Sequence, residues 1–553
     1  MSSSVPTPSF LHHTPVSLAF GTSGLRGLVK DITDLEAYIN VRGALRYLQN
    51  SGDIHAGGSI VLAGDLRPST DRIMRACAQA ILDSGCGVEN AGKIPTPAVL
   101  LHSVSTERAG VMVSGSHIPF DRNGIKINKS VGEILKSDES GITHEVERVR
   151  AEEYGKTATR SAFTSAGMLK RSLELPPLDH AAEERYVRRY VASFTPRGLA
   201  GLHVLVYEHS AVGRDTLGRI LRELGAEVST AGRAETFIPI DTENVTDELL
   251  DRLEGLVTAE TSGRPIHAVV STDGDSDRPL VAAVLPSGET DPRGRRVRFL
   301  SGDLLGIVVA EYLRADAVVV PISANDAVER RMVERGVLLR KTKIGSPYVV
   351  SGIDELRRDG THTRVVGWEA NGGFLVGSPI ALGPEVLGAL SSRDSTLPIL
   401  ANLFAAKEQG IGLAALWNRL PARFGRAGLI DDVPVAVSRA LLTRLVPPGS
   451  TIEVELDDRG QEKAPVGWRE CKATLARFFT PLLGFDEIVR INVLDGVRIT
   501  FKNGDVAHLR PSGNAPQLRI YANSDSQDRA DQIVELGLRE PDGILRLMQK
   551  ALS

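Results

Sequence analysis

Apolar and polar positions along the chain fall into one arrangement that recurs three times. Residues 59–63 (Ser-Ile-Val-Leu-Ala) form an apolar run of strand length, and residues 71–84 then carry their apolar side chains at helical period, up to Gly85. Residues 203–207 lead in the same way into 214–224 and Gly225, and residues 317–320 into 326–335 and Gly336. Each glycine stands where a helix C-terminus accepts a left-handed residue. Units of this kind, spaced well over a hundred residues apart, predict three α/β domains of similar build. The last part of the chain alternates differently. Residues 488–493, 497–501 and 506–509 are strand-like and separated by Asp495-Gly496 and Asn503-Gly504, two successive hairpin signals. A further run at 518–522 and a helical tail at 528–538 complete an antiparallel α+β domain. Polar stretches around 150–178, 286–298 and 456–468 read as linkers or surface insertions. The expected division is 1–178, 179–296 and 297–420 for the α/β domains and 421–553 for the α+β domain.

Composition narrows the class. The chain has 553 residues, 42% hydrophobic and 24% charged, which is ordinary for a soluble globular protein. A formal net charge of -4 argues against a nucleic-acid backbone as partner. Three scattered cysteines, Cys77, Cys86 and Cys471, supply neither a disulfide framework nor a zinc knuckle, so a reducing cytoplasm is expected. Residues 1–20 lack the basic start and long apolar core of a signal peptide or anchor. No apolar run reaches the roughly 18 residues that span a membrane, so no membrane partner is expected.

The densest chemistry lies in Thr272-Asp273-Gly274-Asp275-Ser276-Asp277-Arg278, three carboxylates on alternate residues behind an apolar strand, 268–270. The carboxyl end of a strand is where open α/β sheets place ligands. Two carboxylates about 4 Å apart repel by roughly 4 kcal/mol at an effective dielectric near 20, so a converged trio calls for a cation or a proton. With no histidine or cysteine in the loop the favoured ion is hard, Mg²⁺ before Ca²⁺ and Zn²⁺ last. An EF-hand is excluded, because its sixth and twelfth positions are held by Arg278 and Val284. A solvated acidic turn is the bland alternative.

Three further loops carry candidate chemistry. Val113-Ser114-Gly115-Ser116-His117-Ile118-Pro119, followed by Asn123-Gly124-Ile125-Lys126, offers a serine after a strand. It is not the nucleophile elbow of hydrolases, since Ile118 stands where the second glycine belongs. Leu509-Arg510-Pro511-Ser512-Gly513-Asn514-Ala515-Pro516 offers a guanidinium, a hydroxyl, an amide and open backbone N–H groups, a set that suits a phosphate, though a plain turn has the same composition. Gly367-Trp368-Glu369-Ala370-Asn371-Gly372-Gly373, after Thr363-Arg364-Val365-Val366, puts two polar side chains on alternate positions that can bond vicinal sugar hydroxyls, or simply close a β-turn.

The order of these loops, one per expected domain, resembles the α-D-phosphohexomutase superfamily of phosphoglucomutases, phosphomannomutases and their hexosamine relatives. Phe20-Gly21-Thr22-Ser23-Gly24-Leu25-Arg26-Gly27 is similar to its N-terminal signature. Ser114 to Pro119 resembles its phosphoserine loop, usually Thr-Ala-Ser-His-Asn-Pro, with Lys126 in register. Asp273 to Arg278 matches its metal loop, and residues 369–372 and 510–516 resemble its sugar and phosphate loops more loosely. The resemblance implies mixed sheets in the three α/β domains and four domains around a central cleft. It implies a mutase for hexose 6-phosphate and hexose 1-phosphate, mannose first and glucose next, with hexose 1,6-bisphosphate as intermediate and activator. Ser116 would be the phosphorylated residue and complete the Mg²⁺ shell with Asp273, Asp275 and Asp277. Arg278 would neutralise the transferred group, Lys126 or else His117 would move the proton, and Arg26 would steady the phosphoserine. Glu369 and Asn371 would hold the sugar, and Arg510, Ser512, Gly513 and Asn514 the other phosphate. Small sugar phosphates are the expected partners, and the protein a monomer or homodimer.

Gly115 and Ile118 depart from the family's alanine and asparagine, Asn514-Ala515 from Thr-Glu, and Asn371 and Gly373 from serine and histidine. These changes leave the reaction class intact and the sugar open. A glucosamine or N-acetylglucosamine phosphate mutase, an Mg²⁺-dependent phosphatase and a non-catalytic sugar-phosphate binder are the rivals. Phosphatases of that kind use an aspartate nucleophile, and retention of Ser116, the three aspartates and Arg278 argues against a binder.

Overall fold

The computed structural model describes residues 10–11, 18–21, 24–260, 263–291, 293–447, 452–456, 466–511 and 516–552. Thr22 and Ser23 of the N-terminal signature, most of the polar stretch 456–468, and Ser512, Gly513, Asn514 and Ala515 lie outside them. The chain forms two compact units, Met1–Ala317 with Gly345–Trp417, and Val318–Ile344 with Asn418–Ser553.

In the first unit, the three-strand heart of the first sheet is parallel: Ser59–Gly64 lies between Gly87–Lys93 and Gly110–Val113. Strand Ser59–Gly64 is buried along nearly its whole length, as expected where helices cover both faces. Antiparallel strands Arg122–Lys129 and Gly24–Leu28 extend the sheet beyond Gly110–Val113. Helices Asp34–Asn50, Thr70–Asp83 and Glu139–Tyr154 contribute apolar faces to one core with it. A second mixed sheet runs Glu227–Ala231, His203–Tyr207 and Ala268–Thr272 in parallel, then Pro279–Val284 and Val297–Phe299 antiparallel. A third set is antiparallel: Val365–Trp368 pairs with Phe374–Val376, which pairs with Leu390–Asp394.

The second unit contains a six-stranded antiparallel sheet, in the order Phe424–Ile430, Leu518–Ser524, Val506–Pro511, Val497–Phe501, Ile488–Asn492 and Glu453–Glu455. Alternation puts Ile491, Ile499, Leu509 and Ile520 into one core, with the tail helix Gln527–Leu538 adding Ile533 and Val534 to it.

The mixed sheets and the C-terminal antiparallel sheet are as the sequence predicts, and most element ends shift by one or two residues. One boundary differs more. The polar stretch from 150 begins inside helix Glu139–Tyr154, whose Ile142, Val146 and Val149 form its buried stripe. Ahead of the sugar-loop candidate, strand Val365–Trp368 begins after Thr363 and Arg364. Asp316 accepts from the backbone N–H of Thr363 and Arg364, which holds them outside the sheet, while Trp368 stacks on Phe374 and bonds Asp303.

Candidate active site

Ser116 follows the carboxyl end of strand Gly110–Val113 and is fully buried, with φ of +57°. A left-handed backbone costs a residue with a Cβ roughly 1–2 kcal/mol, and it persists only where the surroundings enforce it. Here they do. The Ser116 N–H donates to Ser114 Oγ at 2.8 Å, and Ser114 Oγ donates to Asp65 Oδ2 at 2.8 Å. The buried Arg67 guanidinium donates to the carbonyls of Ser116 (2.7 Å), Ile118 (2.5 Å), Pro119 (2.6 Å) and Arg122 (2.9 Å), and pairs with Asp65 at 3.1 Å. Sequence reasoning missed Arg67. Its signal was position: Asp65 and Arg67 follow the strand of the first repeated unit, as the acids follow 268–272.

The metal-loop candidate is the hairpin turn between Ala268–Thr272 and Pro279–Val284, closed by the pair Thr272 and Pro279. Ser276, also left-handed at φ +58°, anchors it by accepting from Gly213 N–H through Oγ and from Ser395 Oγ through its carbonyl. Gly274 lets the turn approach the serine, since a Cβ there would stand 2.7 Å from the Ser116 carbonyl oxygen. The result joins two distant segments: Ser116 Oγ donates to Asp273 Oδ2 at 2.7 Å.

Asp273, Asp275 and Asp277 are completely buried and bring carboxylate oxygens within 4.8 Å of one another. Lys126, on strand Arg122–Lys129, donates to Asp275 Oδ2 at 2.5 Å and Asp277 Oδ2 at 2.9 Å. Thr96, at the start of helix Thr96–Ser105, adds a bond to Asp275 Oδ2 at 2.7 Å. Asp275 Oδ1 and Asp277 Oδ1 have no hydrogen-bond partner although both are buried. Unpaired anionic oxygens in the interior are expensive, and this all-oxygen set fits a hard divalent cation.

Burial and the charges of Asp275 and Asp277 push Asp273 well above the usual carboxylate range. Burial and Asp277 also push Asp275 upward, but Lys126 and Thr96 prevail and hold it low. Asp277 is driven lower still, against burial, by Arg393, Lys126 and Arg278. Lys126 keeps its proton because Asp275 and Asp277 outweigh its burial. Burial, Arg278 and Arg26 lower His117 to about 2, so its imidazole is neutral, with Nδ1 3.4 Å from Ser116 Oγ.

Arg26 sits in register with Gly124, where a Cβ would meet the Ser114 and Leu25 carbonyl oxygens at 2.7 and 2.6 Å. Its buried Nε and Nη2 have no partner, nor does Arg278 Nε, which lies 3.8 Å from Asp273 and 3.6 Å from Asp277. Buried guanidinium N–H groups left open in this way are matched to an anion.

Glu369 and Asn371 occupy the hairpin turn between Val365–Trp368 and Phe374–Val376. Arg393, which sequence reasoning also missed, joins that turn to the acids: it bonds Asp277 Oδ2 at 2.8 Å and Glu369 Oε2 at 2.9 Å, and is 2% exposed. Asn371 is turned inward, its Oδ1 accepting from Gly373 N–H at 3.0 Å and its carbonyl from Thr242 Oγ1 at 2.8 Å. The first unit thus brings together Ser116, the three aspartates, Lys126, Arg278, His117 and Glu369. Arg510 belongs to the second unit, where Asp495 Oδ1 accepts from its Nε at 3.3 Å.

Three family models match: phosphoglucomutase/phosphomannomutase alpha/beta/alpha domain I over residues 17–153, alpha/beta/alpha domain III over 301–424, and the C-terminal domain over 455–536. A phosphomannomutase from Salmonella muenchen is 36% identical over 518 residues, covering 93% of this chain and 94% of its own. The chain belongs to the phosphoglucomutase/phosphomannomutase family. It is thereby an enzyme of the phosphohexomutase class, an isomerase. A phosphoglucosamine mutase from Kineococcus radiotolerans (strain ATCC BAA-149 / DSM 14245 / SRS30216) is 30% identical, over 61% of this chain and 70% of its own. The fold agrees with the crystal structure of a phosphoglucomutase/phosphomannomutase family protein from Burkholderia thailandensis, at a TM-score of 0.66 and 18% identity, covering 96% and 98% of the two chains. Among the described residues no helix is long and apolar enough to cross a membrane.

Proposed function

We propose that this phosphohexomutase interconverts hexose 6-phosphate and hexose 1-phosphate, mannose first and glucose next, through phosphorylated Ser116 and a hexose 1,6-bisphosphate. One observation carries the reading: a strained, buried serine whose hydroxyl donates to a carboxylate trio 157 residues away in sequence. The kinship with a phosphomannomutase across almost the whole chain supports mannose.

In this reading the Ser116 Oγ–P bond breaks as the free sugar hydroxyl forms its own bond to phosphorus. The hydroxyl loses a proton and Oγ gains one. Lys126 holds a proton between Asp275 and Asp277, whereas His117 is neutral, so Lys126 is the residue able to protonate the departing Oγ. Arg278 and Arg26 present their open N–H groups to the phosphoryl oxygens, where charge is spread during transfer. Asp273, Asp275 and Asp277, with a phosphoseryl oxygen, would hold Mg²⁺, which when bound neutralises part of that charge. The bisphosphate then returns its other phosphoryl to Ser116 by the reverse step. Glu369 accepts from the sugar, and Arg510 with Ser512, Gly513 and Asn514 is assigned the phosphate that does not react.

A hexosamine phosphate is the second reading, favoured by the Glu369-Ala370-Asn371-Gly372 turn. The inward Asn371 weighs against that residue reading the sugar directly. The division into 1–178, 179–296, 297–420 and 421–553 belongs to the same proposal, supported by where the three family models fall. So do a cytoplasmic location and a monomeric or homodimeric state.

Peptide mass spectrometry after incubation with mannose or glucose 1,6-bisphosphate tests the assignment. Phosphate is expected on Ser116, with labelling and mutase activity lost in Ser116→Ala. Undiminished labelling of that variant would overturn it. Parallel assays with the 6-phosphates of mannose, glucose, glucosamine and N-acetylglucosamine settle the sugar.

A further inference from the structure

Residues 392–396 are all buried, and each of them bonds a different part of the first unit or braces one that does. Ser392 Oγ donates to Glu133 Oε1 at 2.6 Å. Asp394 accepts from the hydroxyls of Tyr186, at 2.7 Å, and Tyr190, both on helix Ala181–Ser193. Ser395 Oγ donates to the Ser276 carbonyl at 2.7 Å, and Thr396 Oγ1 accepts from the Tyr186 hydroxyl at 3.0 Å. Arg393 stands among these neighbours, so its side chain starts from a backbone that three other segments hold in place.

From there it passes directly over Gly373, the last residue of the sugar-loop candidate. A Cβ at position 373 would stand 2.7 Å from Arg393 Cδ, 2.7 Å from Cγ and 2.8 Å from Cβ. Packed interiors do not tolerate such overlap, so position 373 can carry no side chain while Arg393 lies where it does. The glycine at 373, where the family's loop has histidine, and the arginine at 393 are therefore two halves of one arrangement.

We propose that Arg393 is a positioning residue for the sugar: it holds the Glu369 carboxylate in the orientation that accepts from substrate hydroxyls, and position 373 is glycine to make room for it. The inference rests on the sugar-phosphate mutase reading and deepens it. Arg393 Nη1 donates to Glu369 Oε2 at 2.9 Å, while Nε and Nη2 donate to Asp277 Oδ2 at 3.2 and 2.8 Å. One planar fork thus ties the sugar-loop carboxylate to an acid of the aspartate loop, a geometry that lysine does not reproduce. Its hold on Oε2 leaves Oε1 to the sugar. Without it, Glu369 would sample several rotamers, and the sugar would have to fix one of them on binding, at a cost in affinity. Glu369 and Asp277 would also lose the cation they share.

The test uses the full chain. Arg393→Gln should raise KM for mannose 6-phosphate, and weaken its affinity by calorimetric titration, about tenfold, the loss of one charge-assisted bond. Arg393→Lys, with the charge but without the fork, should fall between that variant and the parent. Glu369→Ala weakens binding by itself, and adding Arg393→Gln to it should cost little more, because the arginine acts through that carboxylate. A merely structural arginine would lower the melting temperature and leave KM and affinity alone. Gly373→Ala should match Arg393→Gln by displacing the arginine. In an Arg393→Gly background, which removes all three overlapping carbons, Gly373→Ala should change neither KM nor affinity. KM and affinity within twofold of the parent in Arg393→Gln would overturn the proposal, as would losses that add in full to those of Glu369→Ala. So would a Gly373→Ala effect as large in the Arg393→Gly background as in the parent. If the parent binds mannose 6-phosphate but isomerises none of the four sugars, the mutase reading fails by itself, and the calorimetric comparison still decides Arg393.

Discussion

Gly115→Ala restores the residue that the family's phosphoserine loop usually carries, yet it should damage this protein. A Cβ at position 115 would stand 2.8 Å from Arg67 Cζ, 2.9 Å from Nε and 3.1 Å from Nη2. Such contacts are relieved cheaply only if the neighbour is loose, and Arg67 is not: four backbone carbonyls, Asp65 and the Phe237 ring fix it. Overpacking of this kind costs about 1–3 kcal/mol, and replacing glycine by alanine returns about 0.4–1 kcal/mol through the unfolded chain. The net is a loss of about 1–2 kcal/mol, seen as a lowered melting temperature. Activity should suffer more. Any shift of Arg67 carries the Ser116 carbonyl with it, and a displacement near 1 Å at a reacting group is worth about a hundredfold in rate. The expected fall in kcat is about ten- to a hundredfold, measured by a coupled assay on freshly phosphorylated enzyme. Arg67→Lys, which lacks the planar fork, should lower kcat alone, and in combination with Gly115→Ala the losses should be less than additive. A Gly115→Ala enzyme with kcat within twofold of the parent and an unshifted melting curve would refute the claim that Arg67 is a rigid clamp.

Activity should vanish on chelation and return with Mg²⁺, and Asp275→Asn should weaken that rescue and abolish any Mg²⁺-induced rise in melting temperature; full activity in a chelated preparation would exclude an essential cation. Arg510→Ala should raise KM at least about tenfold, the value of a lost charge-assisted pair of about 1.5–3 kcal/mol, and added hexose 1,6-bisphosphate should partly restore its rate. An unchanged KM with no response to bisphosphate would show that this loop does not hold the phosphate.

What the sequence conveyed best was local. The aspartate loop was legible because its acids, its turn and its flanking strands all lie within 268–284. Ser116 and Lys126 were legible through spacing within one hairpin, whose strands Gly110–Val113 and Arg122–Lys129 set Met112 opposite Lys126. Arg67 and Arg393 were not, because their partners lie 49 and 116 residues away and an isolated arginine carries no pattern. Asn371 shows a related limit of a linear reading. Its side chain bonds locally, as asparagine does in turns, and nothing in a linear reading separates a turn-closing amide from a sugar-reading one.

The charges explain why the loops were weak signals singly and are strong together. Three buried aspartates alone would not stay ionised, and three buried cations alone would be as unfavourable. Lys126 comes from the serine hairpin, Arg278 from the aspartate turn itself and Arg393 from the strand beside the sugar loop. Lys126 and Arg393 neutralise acids that another segment supplies, and Arg278 faces those of its own turn, so the cluster is complete only when all of these segments have folded. Its residual imbalance is specific: two carboxylate oxygens and several guanidinium N–H groups remain buried and open. The open oxygens call for a cation and the open N–H groups for an anion, and the two kinds lie side by side, with Arg278 Nε 3.6 Å from Asp277 Oδ1. A divalent ion and a phosphoryl group satisfy both at once, which is why the cluster fits phosphoryl transfer better than either simple metal storage or anion binding.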